Sequence, residues 1–287
     1  MTTDRAAKPS ASRGGVRAVV RYLPRPLRAW ARRRLDLSLA AIVRRLTPLV
    51  PIDAVTERDV FIAGFPKSGH TWFQNIVCGV IYGVDPEYAP DTLVQELVPD
   101  VHYKRFYKRF ATPMYFKTHH LPRPEYHRVI YLLRDGRDAM VSYYHYNRVM
   151  IGDAVDFRRM VTEGEHLLPC KWHTHVEAWL SNPHRADMLV VRYEDLLADP
   201  VNEMRRFCAF VGADRKTSLL EAVAAKTSFE VMREKERRFG WDDDRWPRRA
   251  SFIRRGVAGS HKSEMPDDML ALFMDQARET LEKCGYL

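Results

Sequence analysis

The stretch Asp59-Val-Phe-Ile-Ala-Gly-Phe-Pro-Lys-Ser-Gly-His-Thr71 decides the fold. After Asp59, the residues 60–63 are apolar and include β-branched and aromatic side chains, so the run 59–63 predicts a strand. The segment 64–69 is a glycine-bounded loop, and the apolar residues 71–82 predict a helix. A loop between a strand and a helix turns its backbone N–H groups and the helix dipole toward an anion. This arrangement predicts a phosphate-binding loop, with a plain strand–helix turn as the simpler alternative.

The loop has the G-x4-G-x-T spacing of a Walker A loop but a different lysine position. A nucleoside-triphosphate enzyme has lysine after the second glycine, where it reaches the β- and γ-phosphates. In this chain His70 occupies that position, and the lysine lies inside the loop at Lys67. The pattern therefore favours a phosphate loop with a displaced lysine over a kinase-type loop.

Three further apolar runs predict strands at 114–117, 128–133 and 188–193. Helical patterns lie between and after them, at 138–148 and 201–211. Strands that alternate with helices predict an α/β fold with a central parallel β-sheet flanked by helices. The run at 128–133 is almost entirely apolar, as is typical of a strand covered on both faces.

Composition excludes several classes of protein. The chain has 287 residues, of which 46% are hydrophobic and 29% charged, and this is an ordinary globular balance. No apolar stretch reaches the ~18 residues that a membrane-spanning helix needs, and we expect no secretory signal because residues 1–12 are polar. Four scattered cysteines without a C-x-x-C pair favour a reducing compartment, so we expect a cytoplasmic protein.

The positive charge is concentrated at the N-terminus. Residues 1–50 contain 12 Lys or Arg and 2 Asp, a net charge of +10, so the rest of the chain carries −1 of the total +9. We expect residues 1–55 to form a basic, partly helical N-terminal extension and residues 56–287 to form a single domain. The extension is either a helix packed on its own domain or a basic amphipathic helix in peripheral contact with an anionic membrane. Nucleic-acid binding is disfavoured because the rest of the chain is not basic.

The loop Pro66-Lys-Ser-Gly-His-Thr-Trp72 resembles the phosphosulfate-binding loop of cytosolic-type sulfotransferases, which have a P-loop-like fold and use 3′-phosphoadenosine-5′-phosphosulfate (PAPS) as donor. The family usually has threonine where this chain has His70. Further motifs follow in the family's order. They are Arg134 to Ser142 for the donor 3′-phosphate, Tyr193 near the adenine, the adenine-flanking triplet Thr227-Ser-Phe229, and the late segment Arg254-Arg-Gly256 that closes on the 3′-phosphate.

We expect the donor site at the carboxyl ends of the parallel strands, where 64–72, 134–142 and 193 converge, because the donor motifs follow apolar runs. No metal is implied. The implied donor-binding residues are Lys67, Ser68, Gly69, His70, Thr71, Trp72, Arg134, Ser142, Tyr193, Thr227, Ser228, Phe229, Arg254, Arg255 and Gly256.

Lys117-Thr-His119 resembles the family's Lys-x-His catalytic pair. The implied reaction moves a sulfuryl group from PAPS to a hydroxyl or amine and releases 3′,5′-adenosine bisphosphate (PAP). His119 then deprotonates the acceptor, Lys67 neutralises the leaving phosphate, and Lys117 steadies the sulfuryl oxygens. Counting back from Leu121-Pro122 instead selects His120. We favour His119 as the base and place Lys117, His119 and His120 at the acceptor.

Several alternatives stay open. The acceptor is a small molecule, a lipid or a carbohydrate, and the oligomeric state is open because the Lys-Thr-Val-Glu dimer signature of the family is absent from 263–268. The basic run 104–109 is a solvated helix face or a contact for an anionic acceptor. His and Cys residues between 166 and 175 match no standard zinc spacing. A small-molecule kinase and an inactive nucleotide-binding or membrane-adaptor protein are the competing functions.

Overall fold

The computed structural model describes residues 48–241, 246–247 and 250–287. Most of the basic extension, on which the membrane alternative rests, lies outside the described residues. Residues 52–287 form one compact unit. In the described part of the chain the strands are β1 Leu49–Pro51, β2 Val60–Gly64, β3 Phe106–Lys108, β4 Tyr115–Thr118, β5 Arg128–Leu133 and β6 Asp187–Arg192.

The helices account for most of the remaining described residues. They are α1 His70–Tyr82, α2 Asp91–Leu97, α3 Gly136–Ile151, α4 Phe157–Thr162, α5 Trp172–Leu180, α6 Tyr193–Ala198, α7 Pro200–Val211, α8 Thr217–Lys226, α9 Phe229–Phe239, α10 His261–Glu264 and α11 Asp267–Lys283. The helices predicted at 71–82, 138–148 and 201–211 are confirmed as α1, α3 and α7.

Four parallel strands form the central sheet in the order β4-β2-β5-β6. The four predicted strands are confirmed, each to within one residue, and so is the predicted α/β class. The chain passes from β2 to β4 on one side, then crosses to β5 on the other side of β2. Ligand-binding crevices of open α/β sheets form at the carboxyl ends of the strands where the order reverses in this way.

The two faces of the sheet are covered by different side chains. Alternate residues of β2 point to opposite faces, so Val60 and Ile62 join an aliphatic cluster with helices α1, α7 and α8. On the opposite face Phe61 lies 4.0 Å from the ring of Tyr126. Tyr131 of β5 packs there against Trp179 of α5, at a ring distance of 5.7 Å. The sheet is therefore buried on both faces, and this packing fixes the register of its strands.

The prediction that the basic run 104–109 forms a solvated helix face is wrong, because this run contains the strand β3. Tyr107 is buried while Lys108 on the opposite side is exposed, which is the alternation of a strand. Arg109 turns inward and binds Asp59 through both guanidinium nitrogens, at 2.6 and 3.0 Å.

Among the described residues, no helix has both the length and the apolar character needed to cross a membrane.

Asp59 fixes the start of the central strand β2. Its carboxylate is fully buried and accepts hydrogen bonds from the backbone N–H groups of Thr56 and Met114, at 2.7 and 2.8 Å, besides the pair from Arg109. Burial opposes ionisation, but the bonds from Arg109, Met114 and Thr56 outweigh it and lower the pKa of Asp59. The start of β2 thus depends on a carboxylate that stays charged.

We expect Asp59→Asn to lower the free energy of unfolding by about 2–4 kcal/mol at pH 7, because it leaves the Arg109 cation without its partner. A carboxyl whose folded pKa is lowered stabilises above its unfolded pKa of about 3.9, and that contribution is lost as the pH falls. Urea unfolding should therefore show the difference between wild type and variant shrinking between about pH 5 and pH 3. The exposed Asp53→Asn is the control, and a difference that is independent of pH would contradict the assignment.

Candidate active site

A cavity of about 1230 Å³ lies where the loops after β2, β4, β5 and β6 converge. The structure brings most of the predicted site residues to its wall. Ser68, His120 and Ser228 lie outside the lining. The predicted residues that line it are Lys67, Gly69, His70, Thr71, Trp72, Lys117, His119, Arg134, Ser142, Tyr193, Thr227, Phe229, Arg254, Arg255 and Gly256.

The loop after β2 turns sharply into helix α1. Lys67 has a φ of +69°, and Gly69 has a φ of +99° at the N-terminal end of the helix. A Cβ atom on Gly69 would lie 3.0 Å from the ring of Tyr193, so this position suits glycine for both backbone and space. The first turn of α1 contains no acidic residue. Its positive end is therefore free to face an anion in the cavity.

Arg134 joins three of the predicted donor segments. Its guanidinium donates to the carbonyl oxygens of Lys67 and Val257, at 3.0 and 3.1 Å. It also lies 4.2 Å above the ring of Tyr193. Trp172 of α5 donates its indole N–H to the Arg134 carbonyl at 3.1 Å, which fixes the residue that follows β5. The convergence of these segments at one end of the sheet confirms the predicted location of the cleft.

The late segment carries two arginines that share one carboxylate. Glu264 pairs with Arg254 and Arg255, and it also accepts from His145 at 2.9 Å. Gly256 has a φ of +64°, and a Cβ atom there would lie 2.3 Å from the Phe229 ring. The segment thus packs directly on the start of α9. Arg254 and Arg255 both reach the cavity wall.

The residues of the predicted adenine-flanking triplet differ in position: part of the triplet lines the cavity, and part supports the helix beside it. Phe229 lines the cavity, and the Thr227 hydroxyl donates to the Val223 carbonyl at 2.8 Å. Ser228 caps helix α9 by accepting from the Val231 N–H, at 3.4 Å. Ser228 therefore supports the site through the helix start, while Phe229 offers a ring face to the cavity.

Buried polar atoms without partners show which ligand chemistry fits the cleft. Within the described part of the chain, six such nitrogen and oxygen atoms belong to predicted donor-binding residues. Buried polar groups normally have hydrogen-bond partners, and five of these six atoms belong to basic or aromatic N–H-bearing groups. An anionic nucleotide would supply acceptors to the N–H groups among them, which include only one of the two nitrogens of the neutral His70 ring. The six atoms are Ser68 Oγ, His70 Nδ1 and Nε2, Trp72 Nε1, Arg134 Nε and Arg254 Nε.

His119 lies in the cavity wall at the end of β4. Its Nδ1 is 2.9 Å from the Gly64 carbonyl oxygen, which only accepts, so the proton sits on Nδ1 and the lone pair on Nε2. Burial and the neighbouring Lys117 lower the pKa of His119 to about 3. The imidazole is therefore neutral near pH 7 and able to accept a proton.

His120 points away from the cavity. Its Nδ1 is 2.7 Å from the Tyr126 hydroxyl, and its carbonyl accepts from the Trp179 indole at 3.0 Å. The geometry therefore favours His119 in the register question raised by the sequence. His70, which stands in place of the family's threonine, packs at a ring distance of 4.3 Å from His119. Burial lowers the pKa of His70 well below its ordinary value, so His70 adds no charge to the loop.

The sequence did not reveal the aromatic cover of Lys67. The ammonium lies 4.0 Å from the Phe252 ring centroid and 4.7 Å from that of Tyr146. Trp246 stacks on Tyr146 at 5.5 Å. Burial lowers the pKa of Lys67 to about 7, and the nearby cation of Lys117 adds to the effect. The density of aromatic residues between 241 and 252 was the signal that could have indicated this cover.

No group of three or more His, Cys, Asp or Glu side chains in the described residues can hold a metal ion. Within the basic run 104–109, Lys104 reaches the cavity wall, whereas Arg109 is engaged by Asp59.

A family model for the sulfotransferase domain matches residues 57–285. The chain belongs to the sulfotransferase family. Human sulfotransferase 1C2 is 29% identical over 61% of this chain and 66% of its own length, and human sulfotransferase 2B1 is 28% identical over 73% and 62%. The matched region thus spans just under two thirds of each relative. The 3-beta-hydroxysteroid sulfotransferase of Cavia porcellus is 27% identical over 72% of this chain and 78% of that protein.

Solved structures show the same fold. A mouse sulfotransferase in complex with PAP gives a TM-score of 0.61 at 20% identity, covering 81% of this chain and 90% of the other. A retinol dehydratase in complex with androsterone and PAP gives 0.60 at 21% identity, covering 79% and 81%. The parallel sheet and its flanking helices are therefore those of the sulfotransferase fold.

The pKa of Lys67 predicts that PAP binding takes up a proton. A lysine with a pKa of about 7 is only about one-tenth protonated at pH 8, and a bound phosphate favours the charged form. We expect a net uptake of protons at pH 8, of up to one per bound PAP, and an affinity that falls as the pH rises above about 7. Calorimetry in buffers of different ionisation enthalpy measures this uptake.

The matched variants for that experiment are Lys67→Arg, which stays charged, and Lys67→Met, which is never charged. Both should bind PAP with little proton uptake, and the methionine variant should bind it more weakly. An unchanged uptake in both variants would place the titrating group elsewhere in the cleft.

Proposed function

We propose that the protein transfers a sulfuryl group from PAPS to the hydroxyl or amine of an acceptor and releases PAP. The observation that supports this proposal is that one cavity contains both the groups suited to bind the donor and the group suited to deprotonate the acceptor. A cationic cradle with unpartnered donors forms one part of its wall, and the neutral imidazole of His119 forms another. The names of the relatives support the same reaction class.

Each reacting side chain has a distinct task in this proposal. The donor supplies an electrophilic sulfur and a phosphate leaving group. His119 Nε2 takes the proton of the acceptor as the new bond from oxygen to sulfur forms. Lys67 stabilises the electron pair that stays on the phosphate when the bridging bond breaks, and Lys117 stabilises the sulfuryl oxygens. Arg134 and Arg254 hold the nucleotide in line with the acceptor.

Several apolar side chains that belong to no donor motif line the same cavity, among them Met150, Ile151 and Leu168, and we assign them to the acceptor. Apolar walls with few polar groups suit a small apolar alcohol or a lipid alcohol better than a carbohydrate, which would leave many hydroxyls unpaired. The proposed acceptor class is therefore an apolar small molecule or lipid with one reactive hydroxyl or amine. The hydroxysteroid specificity in the name of one relative agrees with this class.

We further propose that residues 56–287 carry this activity in the cytoplasm. The role of residues 1–55, including peripheral contact with an anionic membrane, stays a prediction from the sequence.

The experiment that tests the function supplies sulfur-labelled PAPS with a sterol, retinol, a long-chain alcohol, a phenol and a disaccharide. We expect a labelled product with one or more of the apolar hydroxyl compounds, and the same rate in the presence of EDTA. ATP with magnesium serves as the competing donor. Phosphorylated product from ATP and no sulfated product from PAPS would replace the proposal with a kinase.

His119→Ala should lower kcat by about 100- to 10,000-fold, because it removes the general base. The affinity for PAP should stay within about threefold, since the imidazole acts on the acceptor. His120→Ala is the matched variant for the competing register and should retain most of the turnover. The reverse pattern would show that His120 is the base. Full activity in both variants would mean that neither imidazole takes the proton.

A further inference from the structure

Asp100 is a buried carboxylate beside the cleft, and no motif in the sequence singles it out. Its side chain is 1% exposed, and Oδ2 lies 2.8 Å from the Nζ of Lys117. The other oxygen, Oδ1, accepts from the backbone N–H of His102 at 2.8 Å. A carboxylate this deeply buried needs a charged partner and hydrogen bonds to stay ionised. Lys117 and His102 supply both.

The chain around Asp100 is bonded along strand β4. Lys117 donates its backbone N–H to the Pro99 carbonyl at 2.9 Å, and Val101 donates to the Lys117 carbonyl at 3.0 Å. The His119 N–H donates to Nε2 of His102 at 2.8 Å. The segment 99–102 thus extends the sheet beside the two residues proposed to react. This segment holds the backbones of Lys117 and His119 through three hydrogen bonds, and it holds the Lys117 side chain through one ion pair.

The negative charge of Asp100 partly compensates the positive charges of the cations that line the cleft. Lys117, Arg134 and Arg254 each disfavour a charge on Lys67. Lys117 also disfavours a proton on His119, whereas Asp100 favours one. Despite its burial Asp100 has a lowered pKa, chiefly because the Lys117 cation stabilises the carboxylate. The imidazole of His102 faces the same cluster.

We propose that Asp100 is a positioning residue for sulfuryl transfer. Its carboxylate holds the Lys117 ammonium at the cleft wall and offsets the lysine charge beside His119, so that the imidazole can take up the acceptor proton. This inference rests on the proposed function, in which Lys117 and His119 act on the sulfuryl group and the acceptor. Without the carboxylate, Lys117 is free to leave the wall, and protonation of His119 occurs next to an uncompensated cation.

The test is a double-variant cycle with Asp100→Asn, Lys117→Met and the combination. Asparagine keeps the shape and the oxygen that accepts from His102 but removes the charge. We expect Asp100→Asn to lower kcat by about 10- to 100-fold, with the acceptor KM and the Kd for PAP within about threefold of wild type. In the Lys117→Met background the same change should alter kcat by less than about threefold, because Asp100 acts through Lys117.

Glu203→Gln is the matched control. Glu203 is also a buried carboxylate, paired with Arg206 at 2.6 Å on helix α7, and it does not line the cavity. Its variant should lower the thermal midpoint but leave kcat within about twofold. If Asp100→Asn behaves in the same way, Asp100 is only structural and the proposal is overturned. An equal loss of kcat in both lysine backgrounds also overturns it.

If Asp100→Asn alone does not fold, the two lysine variants decide the question, because the combined variant has no unpaired charge. Equal kcat in Lys117→Met and the combination supports the proposal, and a kcat tenfold lower in the combination overturns it. Wild-type protein that transfers sulfuryl to none of the acceptors overturns the proposed function itself, before any variant is compared.

Discussion

The structure depends on bringing several cations to one end of a parallel sheet. Lys67, Lys117, Arg134 and Arg254 all reach the same cavity wall, where like charges within a half-buried site repel. The fold offsets each cation with a different local partner. Lys67 lies against aromatic rings, Lys117 against Asp100, Arg134 against carbonyl oxygens, and Arg254 against Glu264. Each of these partners carries less negative charge than a phosphate dianion, so an anionic ligand can compete with them for the cations.

The sheet makes this convergence possible because its strands end at one level. Ala63 of β2 is paired with Thr118 of β4, and Leu133 of β5 with Arg192 of β6. The residue or loop that follows each strand therefore enters the same space. Burial on both faces holds that register, since a slip by one residue would move each side chain of β2 to the opposite face and disrupt the packing on both. The positions of the cations are thus a consequence of core packing.

The sequence predicted what is encoded in short contiguous segments. The strands, the turn at Gly69 and the motif around Arg134 each combine a local pattern with a local structure, and the structure confirms those placements. Contacts between distant segments were not predictable in this way. Asp100 meets Lys117 only because the chain returns along β4. Phe252 covers Lys67 from 185 residues further along the chain, and the aromatic residues near Phe252 signal a cluster but not that Lys67 is its partner. The strand β3 was missed because three residues are too few for a periodicity to show.

The low pKa of His119 is compatible with the role of a base. Its value of about 3 reflects burial and the charge of Lys117 in the absence of an anion. Negative charge held by Lys67 and Lys117 would favour the imidazolium and so strengthen the base. In the proposed mechanism, proton removal from the acceptor is therefore more favourable when the anionic donor is in place. The cations assigned to donor binding would thus link its presence to the basicity of His119, and the proposed role of Asp100 is to set the level from which that increase starts.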